Sequence, residues 1–311
     1  MLTVNHPSEL ASHGPFALAI GTFDGMHRGH QAVLDALKAS AEKTHANTAA
    51  LFFTPMPREV LCTSNPPKHL TSDAEKIALL AQQGIDAAIC VKFDAALASL
   101  TPEQFLAQYI FCPGLELKSI CVGTNWHFGK GNCGDTTLLR ELVATHGIEL
   151  ITVPEVFVDG APISSTRIRE LVAAGKLEEA QALLGRPYTI AGTVSAGNGI
   201  AKGTLHCPTA NIVDDAKQLP PYGVYAAQTH CAGFDAPLPS IVYIGNAPTF
   251  RSDGHPIVEV HLFDFNCDIY GRNIAVEPVK FLRPSIQFAS PEALKSQIAK
   301  DIADAQHALQ K

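Results

Sequence analysis

The chain has 311 residues, of which 46% are hydrophobic and 17% charged, and its formal net charge is −7. That length predicts two domains with proper cores, and the acidic balance argues against a basic groove for nucleic acid. Eight scattered cysteines without a C-x-x-C pair argue against structural zinc, and no apolar run approaches the roughly 18 residues of a membrane span. The N-terminus lacks a basic start followed by a long apolar stretch, so the expected location is cytoplasmic with reduced thiols.

Residues 16–23 (FALAIGTF) form an apolar run that predicts a buried strand. Residues 29–43 then place Ala32, Val33, Ala36 and Leu37 at helical spacing. A strand is expected at 49–53, ended by Thr54-Pro55-Met56-Pro57, and a helix at 73–83, stopped by Gly84. Strand 86–92, helix 102–110, strand 118–122, helix 136–146 and strand 148–153 follow. This alternation predicts a Rossmann-like parallel sheet with helices on both faces, and ligands of such sheets sit at the carboxyl ends of the strands.

Helices at 166–174 and 177–184 end at Gly185-Arg186-Pro187. After residue 184 the pattern becomes short strands separated by turn residues, at 188–195, 222–230, 240–245, 257–265 and 273–281. A small antiparallel β-barrel is expected there, closed by an amphipathic helix over 290–309 with Ser290 as cap and Pro291 in the first turn. The predicted domains are therefore 1–184 and 185–311.

The strongest motif is Gly21-Thr22-Phe23-Asp24-Gly25-Met26-His27-Arg28-Gly29-His30, between the first strand and the first helix. His27 and His30 lie on one face of a helix start, and Gly29 between them leaves the backbone open to a phosphate. The helix N-terminus adds positive partial charge, which suits attack on the α-phosphorus of a triphosphate. Two histidines so spaced are, by themselves, equally at home as structural or surface residues. The second motif, Ile163-Ser164-Ser165-Thr166-Arg167-Ile168-Arg169, gathers hydroxyls and free N–H groups at another helix start. Alone it reads as a Ser/Thr cap; beside the histidine motif it reads as a second phosphate clamp.

Together these segments resemble the nucleotidyltransferase superfamily. The fuller pattern, with the C-terminal half, resembles the prokaryotic bifunctional riboflavin kinase/FMN adenylyltransferases over nearly the whole chain. The resemblance implies an adenylyltransferase domain followed by a riboflavin-kinase barrel, acting on riboflavin, FMN and ATP with Mg²⁺ and yielding FAD. It implies that His27 and His30 stabilise the ATP phosphates and that Ser164, Ser165, Thr166 and Arg169 hold the β- and γ-phosphates. Gly21, Phe23, Asp24 and Gly29 complete the nucleotide loop. Asn125, in Gly123-Thr124-Asn125-Trp126-His127-Phe128-Gly129, matches a segment beside the adenylate site. The chain departs from the family pattern at Met56, Trp126 and His127, all on the flavin side.

In the second half Cys207-Pro208-Thr209-Ala210-Asn211, Pro221-Tyr222-Gly223-Val224-Tyr225, Gly245-Asn246-Ala247-Pro248-Thr249-Phe250 and Val258-Glu259-Val260-His261 resemble riboflavin-kinase segments. Thr209 and Asn211 alternate on one strand face and suit Mg²⁺ and its phosphates. Glu259, in an apolar strand, suits a base for a ribityl hydroxyl, although a solvent-facing glutamate fits the same pattern. Gly197, Gly199 and Gly203 shape the expected nucleotide loop, and Tyr222, Gly223, Asn246 and Thr249 are expected on the flavin. Ala201 and His206 depart from the family in that loop, His206 standing where glycine is usual. That keeps a second reading open, an FMN adenylyltransferase whose barrel only binds flavin; a flavin sensor is a third. Neither nucleic acid nor membrane is an expected partner, and the expected state is a monomer or weak homo-oligomer.

Overall fold

The central strands of the N-terminal sheet are buried on both faces, so neighbouring residues along each belong to different cores. The computed structural model describes residues 1–62, 64–195, 210–212, 216–246 and 256–310. By internal packing the chain divides into two compact units, Met1–Ser165 and Thr166–Lys311.

In the first unit the strands β1 (Leu2–Val4), β2 (Phe16–Ile20), β3 (Asn47–Thr54), β4 (Ala87–Lys92), β5 (Leu117–Gly123) and β6 (Glu149–Val153) form one sheet in the order β1-β4-β3-β2-β5-β6. Every pairing in it is parallel. The helices are α1 (Arg28–Thr44), α2 (Pro57–Leu61), α3 (Asp73–Gln82), α4 (Ala95–Ala98), α5 (Pro102–Tyr109) and α6 (Thr136–Ala144). Ala17, Ala19, Ala50 and Ala88 face one side with Val33, Leu34 and Leu37 of α1 and Leu80 of α3. Leu18, Ile20, Leu51 and Ile120 face the other, against Leu97, Phe105, Leu106 and Leu139. Small residues on the first face let α1 lie close to the sheet.

The helix ends follow local chemistry. Ser72 and Glu75 make a capping box at α3, Thr101 and Gln104 another at α5, and Asp135 caps α6. Gly84, just past α3, has φ +77°, a value that favours glycine. The strand expected over 16–23 stops at Ile20, because the chain leaves the sheet at Gly21 and turns through positive φ at Phe23, Gly25 and Met26. Strand β1, helices α2 and α4, and a hairpin of β7 (Phe157–Val158) and β8 (Ala161–Pro162) were not anticipated. Each has five residues or fewer, too short for a hydrophobic period to register.

In the second unit α7 (Ser165–Ala173, beginning one residue before the division) and α8 (Leu177–Leu184) precede a closed antiparallel barrel. Its strands are β9 (Ile190–Ser195), β10 (Ala210–Ile212), β11 (Gly223–Cys231), β12 (Leu238–Asn246), β13 (Pro256–Leu262) and β14 (Asn273–Pro284), in the order β10-β13-β12-β11-β14-β9. Gly185 caps α8 with φ +74°. Helix α9 (Pro291–Leu309), with Ser290 as its cap, packs on β11, β12 and β14. It is fastened by a bidentate pair: Arg283 Nε donates to Asp301 Oδ1 at 2.9 Å and Nη2 to Oδ2 at 2.7 Å. Gln297 donates to the same carboxylate at 2.7 Å.

Asp301 is buried, so Asp301→Ala leaves a guanidinium without its anion. We expect it to destabilise the barrel unit by about 3 kcal/mol. An Arg283→Met/Asp301→Leu double variant should recover most of that loss, and urea unfolding of the purified chain measures both.

Candidate active sites

The order of the first sheet reverses between β2 and β5, and the crevice beyond their carboxyl ends is where parallel sheets bind ligands. The loop after β2 carries Gly21–His30 and the loop after β5 carries Thr124–Phe128, so both motifs border that crevice.

The first loop is clasped by Asp24, which is 1% exposed. Its Oδ1 accepts from the backbone N–H of Leu70 at 2.9 Å and of Thr71 at 3.0 Å, and from the Thr71 hydroxyl at 3.3 Å. Thr71 Oγ1 in turn accepts from the Gly25 N–H at 2.9 Å. The Gln31 side chain donates to the Met26 carbonyl at 2.9 Å. These bonds hold Phe23 and Met26 at φ +48° and +43°, a region that non-glycine residues seldom adopt.

The clasp delivers His27 to the cap of α1, where its Nδ1 accepts from the His30 N–H at 3.3 Å. That acceptor role leaves the His27 proton on Nε2. The rings of His27 and His30 stack with centroids 3.6 Å apart and planes 16° off parallel. A Cβ on Gly29 would meet His27 Nδ1 at 3.1 Å, so glycine here makes room for the imidazole. Gly21 does the same for the Phe23 ring, which would lie 3.2 Å from an added Cβ and meets His30 edge-on at 5.4 Å. His30 Nδ1 is sealed from solvent with no hydrogen-bond partner among the described residues. Burial first, then His27 and Lys76, hold the His30 imidazole well below its ordinary 6.5, so it is neutral near pH 7.

Ser165 Oγ donates to the carbonyl of Asp24 at 2.8 Å, which brings Ser165 onto the histidine loop. Ser164, just before it, is exposed. Asn125 is exposed in the turn after β5, with its carbonyl 3.0 Å from His127 Nδ1. Trp126 stacks on Phe128 at 4.7 Å and packs against the core, and Met56 is buried at the start of α2. The expected site residues did not include Thr71, Asp73 or Lys76. Lys76 is fully buried, with Nζ 3.0 Å from Asp73 and 5.2 Å from the Phe52 ring centroid. Its available signal was position: it lies four residues before Leu80 on the buried stripe of α3.

Within the second unit Thr166 is exposed and Arg169 half-buried on α7. In the barrel, Asn211 on β10 is the cross-strand partner of Glu259 on β13, and Glu259 of Tyr243 on β12. Ser195 of β9 continues the row beside Asn211. Val258, Val260 and Leu262 turn to the barrel core, which puts half-buried Glu259 on the other face of its strand. No described residue pairs with Glu259, and burial pushes its carboxyl above the ordinary 4.5. Tyr222 is exposed, and a Cβ on Gly223 would meet the Arg283 carbonyl at 2.4 Å, so β11 touches β14 there. Gly197, Gly199, Ala201, Gly203, His206, Thr209 and Thr249 lie outside the described residues, as does the Asn246 side chain.

Residues 10–167 match the FAD synthetase family and residues 184–309 the riboflavin kinase family. A bifunctional riboflavin kinase/FMN adenylyltransferase of Escherichia coli (strain K12) is 37% identical over 284 residues, 91% of this chain and 90% of that one. The Pseudomonas fluorescens protein of the same name is 36% identical, covering 94% of this chain and 93% of its own. A crystal structure described as a macrolide-efflux protein from Streptococcus pneumoniae superposes with a TM-score of 0.80 at 28% identity, over 98% of both chains. No described helix is long and apolar enough to cross a membrane.

Asp24→Ala leaves the N–H groups of Leu70 and Thr71 without an acceptor. We expect it to destabilise the first unit by about 2 kcal/mol, with Asp24→Asn losing less because an amide oxygen still accepts. Urea unfolding of the two variants side by side measures the difference.

Proposed function

We infer the chemistry of the two sites from one premise: the chain belongs to the bifunctional riboflavin kinase/FMN adenylyltransferase family. It makes FAD in two steps. Riboflavin is first phosphorylated to FMN, and FMN is then adenylylated to FAD with release of pyrophosphate.

We propose that adenylyl transfer runs on the histidine loop, with 1–184 as its domain and 185–311 as the kinase. The observation that carries this is the Ser165–Asp24 hydrogen bond, which ties the first hydroxyls of the second motif to the histidine loop. An FMN phosphate oxygen attacks the α-phosphorus of ATP, the bond to the bridging oxygen breaks, and pyrophosphate leaves. His27 and His30 donate N–H bonds to the phosphate oxygens as charge shifts onto the leaving group. Ser164, Ser165, Thr166 and Arg169 hold the β- and γ-phosphates, Gly21, Phe23, Asp24 and Gly29 form or brace the loop, and Asn125 lies toward the adenylate.

In the barrel Glu259 takes the proton of the riboflavin 5′-hydroxyl as that oxygen attacks the γ-phosphorus, and ADP leaves. Its half-buried carboxylate, without a partner among the described residues, supports the role. Among the described residues no cluster of three or more His, Cys, Asp or Glu offers an all-protein metal cage. The oxygen donor of Asn211 beside Glu259 instead fits a Mg²⁺ held jointly with Thr209 and nucleotide phosphates. Bound there, Mg²⁺ supplies charge neutralisation to the phosphates. Tyr222, Gly223, Asn246 and Thr249 face the flavin in this reading, and Gly197, Gly199 and Gly203 the nucleotide. We propose a cytoplasmic enzyme, monomeric or weakly self-associating, whose partners are small molecules; dependence on ATP in both steps supports the location and the substrates.

Purified protein with riboflavin, ATP and Mg²⁺ should form FAD, resolved from FMN by chromatography. FAD from added FMN but none from riboflavin would leave only the adenylyltransferase. His30→Ala should lower FMN adenylylation about 10²-fold or more and spare FMN formation. Glu259→Gln should do the reverse, by about 10²- to 10⁴-fold. Loss of both activities in a folded single variant would refute the division of labour. Because a base must be deprotonated, FMN formation should rise with pH through an acid limb above 4.5, and pH–rate profiles of the kinase step locate that limb.

A further inference from the structure

Lysine is rarely buried without a partner, and Lys76 has 0% exposure. Its one anion is Asp73, whose side chain is 41% exposed, and the other oxygen of Asp73 accepts from the hydroxyl of Thr54, the last residue of β3. Stability gives little reason for this arrangement. A buried ion pair is generally no better than well-packed apolar residues in its place, and the rest of that stripe of α3 is apolar. Placement gives a better one. The ammonium sits 5.2 Å from the centre of the Phe52 ring, and Phe52 shares a core with Phe23, whose ring meets His30 edge-on at 5.4 Å. Lys76 thus packs on the core whose Phe23 ring meets His30.

We propose that Lys76 is a positioning residue for adenylyl transfer, a fixed buried cation behind the histidine pair that supplies positive charge and leaves the imidazoles to donate hydrogen bonds. This rests on the histidine loop being the adenylyl-transfer site. Pyrophosphate departs with several negative charges, and a neutral imidazole alone neutralises none of them. A cation locked in the protein does so without first being reoriented. The charged and titratable groups that bear on His30 are His27 and Lys76, with Asp73 behind the lysine. The Oδ1 of Asp24 is taken by Leu70 and Thr71. The depressed His30 pKa, in which Lys76 takes part, fits this arrangement. The field of the ammonium also reaches Cys90, where it opposes the burial and the Asp73 charge that together push the thiol up to about 11.

The test follows His30 by ¹⁵N NMR of histidine-labelled protein across pH, alongside kcat and KM for FMN adenylylation. Wild-type His30 should titrate below 6.5. In Lys76→Met its midpoint should rise and the acid limb of adenylylation should move with it. Lys76→Arg should keep both near wild type, and FMN formation from riboflavin should stay unchanged in all variants. If Lys76→Met does not fold, the neutral pair Asp73→Asn/Lys76→Met should shift the midpoint in the same direction by less, because the opposing carboxylate leaves with the ammonium. A wild-type His30 midpoint at or above 6.5, an unmoved midpoint in the variant, or a loss of adenylylation equal at every pH would each overturn the proposal. The NMR midpoint is read without substrates, so a failure of the adenylyl-transfer reading, seen as no FAD from FMN in wild type, registers separately.

Discussion

A loop that passes through positive φ at Phe23, Gly25 and Met26 does not hold its shape by backbone preference. The buried carboxylate of Asp24 holds it, by accepting from two backbone N–H groups and a hydroxyl just before α3. Everything at the carboxyl end of the first sheet depends on that clasp. It sets His27 as the cap of α1, it stacks the two imidazoles, and it presents the Asp24 carbonyl to Ser165. An aspartate in a nucleotide loop invites assignment to the ligand. Here its inner oxygen is spent on the protein, and the histidines carry the polar surface instead.

The two units meet the same problem, holding phosphate, with different parts. In the first, polar groups gather where β2 and β5 diverge, and helix starts and loops supply them. In the second, they come from register. Asn211, Glu259 and Tyr243 are neighbours across three strands, so a one-residue slip of β13 would turn Glu259 into the core and expose a valine. Closure of the barrel and the packing of α9 through Arg283 and Asp301 guard that register.

Local signals in the sequence were sufficient for most of the long elements. Helix α1 follows from Val33, Leu34 and Leu37, α3 ends where Gly84 permits a turn, and α9 begins at Ser290 and Pro291 as its cap chemistry implies. Strand order was not legible, because β1 pairs with β4 and β2 with β5 through contacts far apart in the chain. The same distance hid the Ser165–Asp24 bond, which spans 141 residues. Lys76 was passed over because a lysine in an amphipathic helix ordinarily faces water, and only the packed structure shows that this one does not. Gly29 has a further role that the motif does not reveal, since its missing side chain makes room for the ring of His27.

The alanines on the inner face of the sheet act as a gauge. Ala17, Ala19, Ala50 and Ala88 are fully or almost fully buried in the core they share with α1, and their size sets how high that helix rides. His27 and His30 sit at the first turn of the same helix. A single added methyl group in that layer would lift the helix by a fraction of an ångström and tilt both imidazoles with it. The placement of the two imidazoles is therefore written in the alanine layer beneath α1.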